Sequence, residues 1–251
     1  GGRSSGRETA GRVAAGAVAA KLLESLGVKV RAYTRSIGPV VISPERMDLA
    51  ERDKNRLYMP DAQAALEAEA YLETLMAEKD SSGGVVECVI EGMPVGIGEP
   101  VFEKLDANLA KAILSIGAVK GFEIGSGFQA ASMRGSENND AFCLEEKTPD
   151  GGLAFLPRTV KQTNHSGGTL GGMSDGSPIV FRAAFKPTPS IARPQQTVDR
   201  FGKEREIVIK GRHDPIIVPR AVVVVEAMAA LTAADMLLLS MTSRLGRIRA
   251  F

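Results

Sequence analysis

Ser5 and Glu8 stand three apart ahead of the apolar-rich run Val13 to Leu26, and Arg3 and Arg7 flank them. Ser-x-x-Glu is a capping-box spacing, in which hydroxyl and carboxylate each take a free N–H at a helix start. A helix is therefore expected to begin near Ser5. Its first turn offers unpaired N–H groups and the positive end of the dipole, and two guanidinium groups beside it suit a doubly charged oxyanion. That is the chemistry of a phosphate site; the plain alternative is a capped helix with two solvated arginines. Three further clusters combine glycine or proline with polar groups: Asn164 to Gly172 (NHSGGTLGG), Lys186-Pro187-Thr188-Pro189-Ser190, and Gly211-Arg212-His213-Asp214-Pro215. Glycines permit close backbone approach, and most of these clusters hold groups able to grip a phosphate or a polar ring. GGxxGG is no Walker or dinucleotide fingerprint, since the Lys-Ser/Thr ending and the preceding strand are absent. Each cluster taken alone also reads as a turn.

Arg212-His213-Asp214 is the most pointed of them, because three adjacent titratable side chains are costly to bury unless paired or used. Alternation along an extended segment puts Arg212 and Asp214 on one face and His213 on the other. The plain reading is a surface ion pair worth at most about 1 kcal/mol. The chemical reading is an anion clamp beside a proton acceptor. His165, in a run of Asn, Ser and Gly, could serve as an acid, but such a histidine is more often solvated or bonded to backbone.

The elements that must position these groups alternate in type. After the first helix, Gly27 supplies a stop, and Val28 to Tyr33 begins with the apolar-polar alternation of a half-buried strand. Residues 62–77 (AQAALEAEAYLETLMA) form a strong helix pattern, residues 79–84 a turn, and residues 84–90 a strand with Val86, Cys88 and Ile90 on one face. A third helix is expected over 100–116, with Leu105, Leu109, Ala112, Ile113 and Ile116 at helical spacing. Residues 125–178 are rich in Gly, Ser, Asn and Asp, and so long a loop tract is expected to be functional. Short strands at 179–185 and 206–210 precede a final helix.

With 31 basic against 30 acidic residues and a net charge of +1, the chain has no global excess that would suggest nucleic acid or a membrane surface as partner. The run 221–242 is apolar enough to suggest a membrane span, but Glu226 and Asp235 lie within it. Each carboxylate near a bilayer centre would cost roughly 2.5–3.5 kcal/mol, so a buried helix packed on protein is expected. Cys88 and Cys143 have no CxxC spacing and the two histidines lie far apart, so no metal site or disulfide framework is expected and the compartment should be reducing. The chain opens on Gly1 inside an apparent working motif, which reads as part of a longer protein.

Taken together, the clusters resemble the chorismate synthase family. The resemblance runs through GGRSSGRETAGRVAAGAVA (1–19), GMPVGIGEPVFEKLDANLAKAILSIGAVKGFEIGSGF (92–128), NHSGGTLGGMSDG (164–176), KPTPS (186–190) and GRHDPIIVPRAVVVVEAM (211–228). These long motifs keep the family's order. Gly6, where the family usually has Ala, and His165, where many members have Asn, are mild departures. The family's N-terminal third, with a GESHG-type segment, an arginine-rich segment and a second functional histidine, has no counterpart here.

The resemblance implies an α/β (α+β) fold, a β-α-β sandwich with long helices between antiparallel sheets, as a single domain over 1–251. It implies a 1,4-anti elimination of phosphate from 5-enolpyruvylshikimate 3-phosphate, giving chorismate on the shikimate pathway of aromatic amino acid biosynthesis, with reduced FMN required although there is no net redox change. By analogy FMN is held by Arg3, Ser4, Ser5, Gly117, Ala118, Gly171, Lys186, Pro187, Thr188, Pro189, Ser190 and Arg212. Ser5, Arg7 and Arg212 bind the substrate, Asp214 accepts a proton from flavin N5, and His213 orients the pair, so that Asp214, Ser5 and His213 form the catalytic set. A cytoplasmic homotetramer is implied, with no metal. NADP-linked flavin reduction belongs to some members only. The alternative is a non-catalytic flavin- or phosphate-binding piece of that enzyme. A Rossmann-type oxidoreductase is disfavoured for lack of the phosphate fingerprint and ribose carboxylate.

Overall fold

The computed structural model describes residues 5–144, 159–209, 211, 214–243 and 245–249. Its helices are α1 (Thr9–Ser25), α2 (Ala62–Ala77), α3 (Leu105–Leu114), α4 (Gly135–Asn138), α5 (Val218–Ser240) and α6 (Leu245–Arg249). Its strands are β1 (Lys29–Ile37), β2 (Val40–Val41), β3 (Gly84–Glu91), β4 (Val119–Ile124), β5 (Phe142–Leu144), β6 (Thr159–Lys161), β7 (Thr169–Leu170), β8 (Met173–Ser174), β9 (Ile179–Phe185), β10 (Gln195–Val198) and β11 (Glu204–Ile207). The main sheet is antiparallel with order β2-β1-β3-β9-β4, and β5-β6, β7-β8 and β10-β11 are separate two-stranded ribbons. The mixture of long helices with antiparallel sheet is the expected α+β class.

Period-2 alternation builds one face of the sheet. Val86, Cys88 and Ile90 of β3 and Ile179, Phe181, Ala183 and Phe185 of β9 are buried, and Phe122 stacks on Phe181 with ring centroids 5.3 Å apart. Helix α5 packs against β1 and β3, with α1 and α3 beside it. The α1–α5 approach is close because Gly16 has no Cβ: one built there would lie 2.4 Å from the Cβ of Ala227. On the opposite side α1, the Leu26 cap that follows it and α3 expose Val18, Leu22, Leu26 and Leu114.

Helix α5 is the apolar stretch read from the sequence as a buried helix, and it is one: Val222, Val225, Ala229, Ala230 and Ala233 are fully enclosed. Asp235 faces solvent. Glu226 is retained because β1 needs it. Strand β2 covers only Ser36 and Ile37, so the outward N–H groups of β1 would otherwise be orphaned inside the protein. Ala32 N donates to Glu226 Oε2 at 2.8 Å and Thr34 N to the Tyr58 carbonyl at 2.9 Å. Arg52 in turn pairs with Glu226 at 3.0 Å.

Four boundaries differ from the sequence reading. Helix α3 begins at Leu105, after Lys104 in an extended conformation, because the chain from Glu99 closes a turn in which Glu99 N donates to the Glu103 carbonyl. The strand expected at 206–210 is β11, which ends at Ile207 and pairs with β10. The described part of the loop tract 125–178 carries a 3-10 turn (Gly127–Ser132), α4 and four short strands. The first described turn, Gly6–Glu8, is 3-10, so Ser5 Oγ accepts from Arg7 N at 3.4 Å, and Glu8 spends its carboxylate on Arg12 at 2.8 Å rather than closing the box.

Candidate active site

Three elements end at one place. Arg12, in the first turn of α1, donates through Nη1 to Ser115 Oγ at 2.6 Å and through Nη2 to the Ser115 carbonyl at 3.4 Å. That ties the start of α1, with Ser5 and Arg7, to the turn leaving α3. The turn runs Ser115-Ile116-Gly117-Ala118 and closes with Val119 N donating to the Ile116 carbonyl. Ala118 sits at φ 71°, a left-handed conformation unusual for a residue with a Cβ. Its carbonyl accepts from Lys186 N at 3.0 Å, at the point where the chain leaves β9. Ser81 Oγ donates to the Thr188 carbonyl at 2.8 Å, and Ser82 N donates to the Pro215 carbonyl at 2.8 Å. Segments 5–12, 115–118, 186–190 and 214–215 are thus linked bond by bond.

Within this convergence Arg7, Lys186 and Pro187 are exposed, and Thr188 and Ser190 half-buried. The Oγ1 of Thr188 is buried and has no hydrogen-bond partner among the described residues. A buried hydroxyl left unpaired costs about 1–3 kcal/mol, which a ligand would recover. Asp214 gives both oxygens to Arg220, at 2.8 and 3.1 Å, with 41% of its side chain exposed. Beside it a cleft of about 310 Å³ is bounded by Lys79, Asp80, Ile191, Gly211 and Pro215. Arg3, Ser4, Arg212 and His213 lie outside the described residues.

Gly171 is placed elsewhere. It sits in the turn between β7 and β8, and its neighbour Gly172 accepts from Leu105 N at 2.8 Å, at the start of α3. The Ser115–Ala118 turn follows the other end of that helix, about 15 Å of helix away.

The Gly- and Asn-rich segment around Gly171 rests on a charge cluster that the sequence reading missed. Lys161, 3% exposed at its side chain, donates to Asp175 at 2.5 Å and Ser166 Oγ at 2.7 Å and lies 3.4 Å from Asp140. Asp140 also accepts from Thr163 Oγ1, Ser166 Oγ and the N–H groups of His165 and Ser166. Burial opposes the Asp140 charge, but the Ser166 and His165 N–H groups and the two hydroxyls outweigh it and hold the carboxyl well below its ordinary range. His165 Nδ1 stands 3.1 Å from Asp140, so this histidine helps anchor its own loop.

A second missed feature crosses the sheet face opposite α5, where Tyr33, Glu87, Arg182 and Glu123 align in register on β1, β3, β9 and β4. Tyr33 Oη donates to Glu87 at 2.5 Å, and burial, reinforced by that carboxylate, pushes the phenol far above its usual range. Arg182 pairs with Glu123 at 3.3 Å and binds the Gly125 carbonyl at 2.5 Å. Period-2 spacing carries the signal for this row, although only strand order reveals that its members are neighbours.

Comparison with known proteins places these motifs. The chorismate synthase family model matches residues 1–238. The chain belongs to the chorismate synthase family. It is 64% identical over 251 residues to the chorismate synthase of Agathobacter rectalis, covering all of this chain and 66% of that protein. It is 59% identical over 249 residues to the chorismate synthase of Lachnoclostridium phytofermentans, covering 99% of this chain and 65% of that one. A crystal structure of chorismate synthase superposes with a TM-score of 0.77 at 31% identity, over 95% of this chain and 65% of the other. The chain thus spans just under two thirds of the length of these family members.

Proposed function

We propose that this chain carries the flavin- and phosphate-binding part of a chorismate synthase, which converts 5-enolpyruvylshikimate 3-phosphate to chorismate by 1,4-anti elimination of phosphate and a ring proton. The observation that carries this reading is the meeting of four family motifs at the ends of α1, α3 and β9. The residues there fit a phosphate-bearing flavin: Thr188 offers a buried hydroxyl without a partner among the described residues, Lys186 an exposed ammonium, and the Ala118 carbonyl holds the Lys186 backbone N–H. Reduced FMN, when bound, supplies electron density for an elimination without net redox change. Lys186, Thr188 and Ser190 bind the cofactor's phosphate or ribityl chain, with Arg3, Ser4, Ser5, Gly117, Ala118 and Arg212 completing the cradle. Gly171 joins this set by resemblance alone.

Arg7, with Ser5 and Arg212, binds the anionic groups of the substrate and stabilises the departing phosphate. Asp214 is the proton acceptor, its carboxylate oriented by the two-point contact with Arg220. His213 orients the Arg212–Asp214 segment. The exposed apolar residues Val18, Leu22, Leu26 and Leu114 suit a second layer over the helices, as a sandwich of a single domain requires. The working unit is a cytoplasmic homotetramer, which light scattering on the full-length protein would check.

The test is anaerobic incubation of full-length protein with reduced FMN and substrate. Chorismate absorbance is the expected result. Flavin binding without turnover would instead support a non-catalytic binding protein, and absence of both would reject the reading.

A further inference from the structure

Between α2 and β3 the chain makes a short passage, Lys79 to Gly83, that the sequence presents only as a turn. Lys79 takes a left-handed conformation at φ 58°, and Asp80 N donates back to the Leu75 carbonyl at 2.9 Å, so the passage is fixed to the end of α2. From there three consecutive residues reach three different places. Asp80 Oδ2 accepts from Arg193 at 2.6 Å, Ser81 Oγ donates to the Thr188 carbonyl, and Ser82 N donates to the Pro215 carbonyl. Gly83 lies so close to the chain leaving β9 that a Cβ on it would stand 2.4 Å from the Phe185 carbonyl oxygen and 3.2 Å from Pro187 Cδ.

We propose that Asp80, Ser81 and Ser82 are positioning residues, a clasp that sets the distance and orientation between the Lys186–Ser190 segment and the Asp214–Pro215 segment. The proposal rests on the functional reading above, in which the first segment holds the cofactor and the second the proton acceptor. The same residue, Thr188, has its carbonyl held by Ser81 and its hydroxyl buried without a partner among the described residues. Fixing the carbonyl fixes the peptide from which the hydroxyl projects, so the ligand meets a group already oriented rather than one it must order. The Arg193 arm pins the chain just beyond Ser190. Ser82 spaces the Asp214 segment from the same short passage, so a shift of either segment is felt by both.

Ser81 is half-buried, and without its hydroxyl the Thr188 carbonyl can turn to water. A purely structural role would therefore leave ligand affinity alone or lower it only in step with stability. The clasp instead separates the two readouts.

The experiment titrates FMN into full-length protein, followed by flavin absorbance, with melting temperature measured alongside. Ser81→Ala is expected to raise the FMN Kd about 5- to 10-fold, the loss of one oriented hydrogen bond, with Tm within about 2 °C of wild type. Ser81→Thr keeps the hydroxyl and should restore affinity. Arg193→Ala, which removes the outer arm without touching the core, should weaken binding by a smaller factor of about 2–3. Wild-type affinity in Ser81→Ala overturns the clasp while leaving the functional reading intact. Were Ser81→Ala unable to fold, wild-type affinity in Arg193→Ala would overturn it equally. Wild-type protein that binds no FMN would overturn the functional reading itself and the clasp with it.

Discussion

Two polar regions of this chain looked alike as sequence and differ in how their hydrogen bonds are spent. Around Lys161 nearly every group is used: the ammonium meets three oxygens, and Asp140 gathers donors from Thr163, His165, Ser166 and Lys161, leaving Asn138 Oδ1, nearby in sequence, without a partner among the described residues. Around Lys186 the side chains are left over among the described residues, with Thr188 Oγ1 buried and unpaired there and Arg7 and Lys186 facing outward. A saturated cluster has no bond to offer a ligand and acts by holding backbone in place. An unsaturated one, held by neighbours such as Ser81, keeps its bonds for something else.

The contrast breaks most readily at Lys161. Lys161→Ala leaves two buried carboxylates facing each other, and should cost about 3–5 kcal/mol, a fall in Tm on the order of 10 °C by thermal denaturation. A small shift would mean that the cluster is not the anchor its geometry indicates. On the other side, Asp214→Asn keeps shape but removes the proposed proton acceptor, so it should lower kcat of the full-length enzyme at least ~100-fold while substrate affinity is largely kept. Steady-state kinetics under anaerobic conditions check this; unchanged turnover would return Asp214 to a surface partner of Arg220. Arg7→Ala should chiefly raise KM, by about 10-fold, if this exposed charge meets the substrate's anionic groups as proposed.

A smaller effect sharpens what saturation means for stability. Asp61 caps α2 and accepts from Ser43 N and Arg46. Burial opposes its charge, yet Arg46 and the Ser43 and Ala64 N–H groups lower its pKa to about 2. Asp140 is lowered in the same sense. A folded pKa below the unfolded value gives stability that is present above about pH 4 and lost as pH falls toward 2. Tm should thus hold between pH 7 and about 5 and drop below 4, and Asp61→Asn should make that acid limb shallower.

How much of this was readable in advance follows from range. Helix α2 matches its expected bounds because Asp61 caps it and the run behind is rich in Ala, Leu and Glu, all local signals. The buried side of β3 follows from alternation, as does the core side of β9. Helix α3 begins later than expected because the turn from Glu99 to Glu103 depends on a backbone bond that no propensity encodes. Motif resemblance found the segments around Ser5, Ala118, Lys186 and Asp214, but their meeting depends on Arg12 reaching Ser115 and on Ser81 and Ser82 bridging across, contacts between residues far apart in the chain. The Lys161 cluster was illegible for the same reason: Asp140 lies in one element, Lys161 in another, and only the fold joins them.

We propose that the unsaturated region around Lys186 is the one that binds. Titrating FMN into the full-length Lys186→Ala, Ser190→Ala double variant tests it most directly, with Tm as the control for folding. At least ~10-fold weaker binding is expected with Tm near wild type, since the lost groups are partly or wholly exposed and are proposed to serve the ligand rather than the core. Unchanged affinity would contradict it.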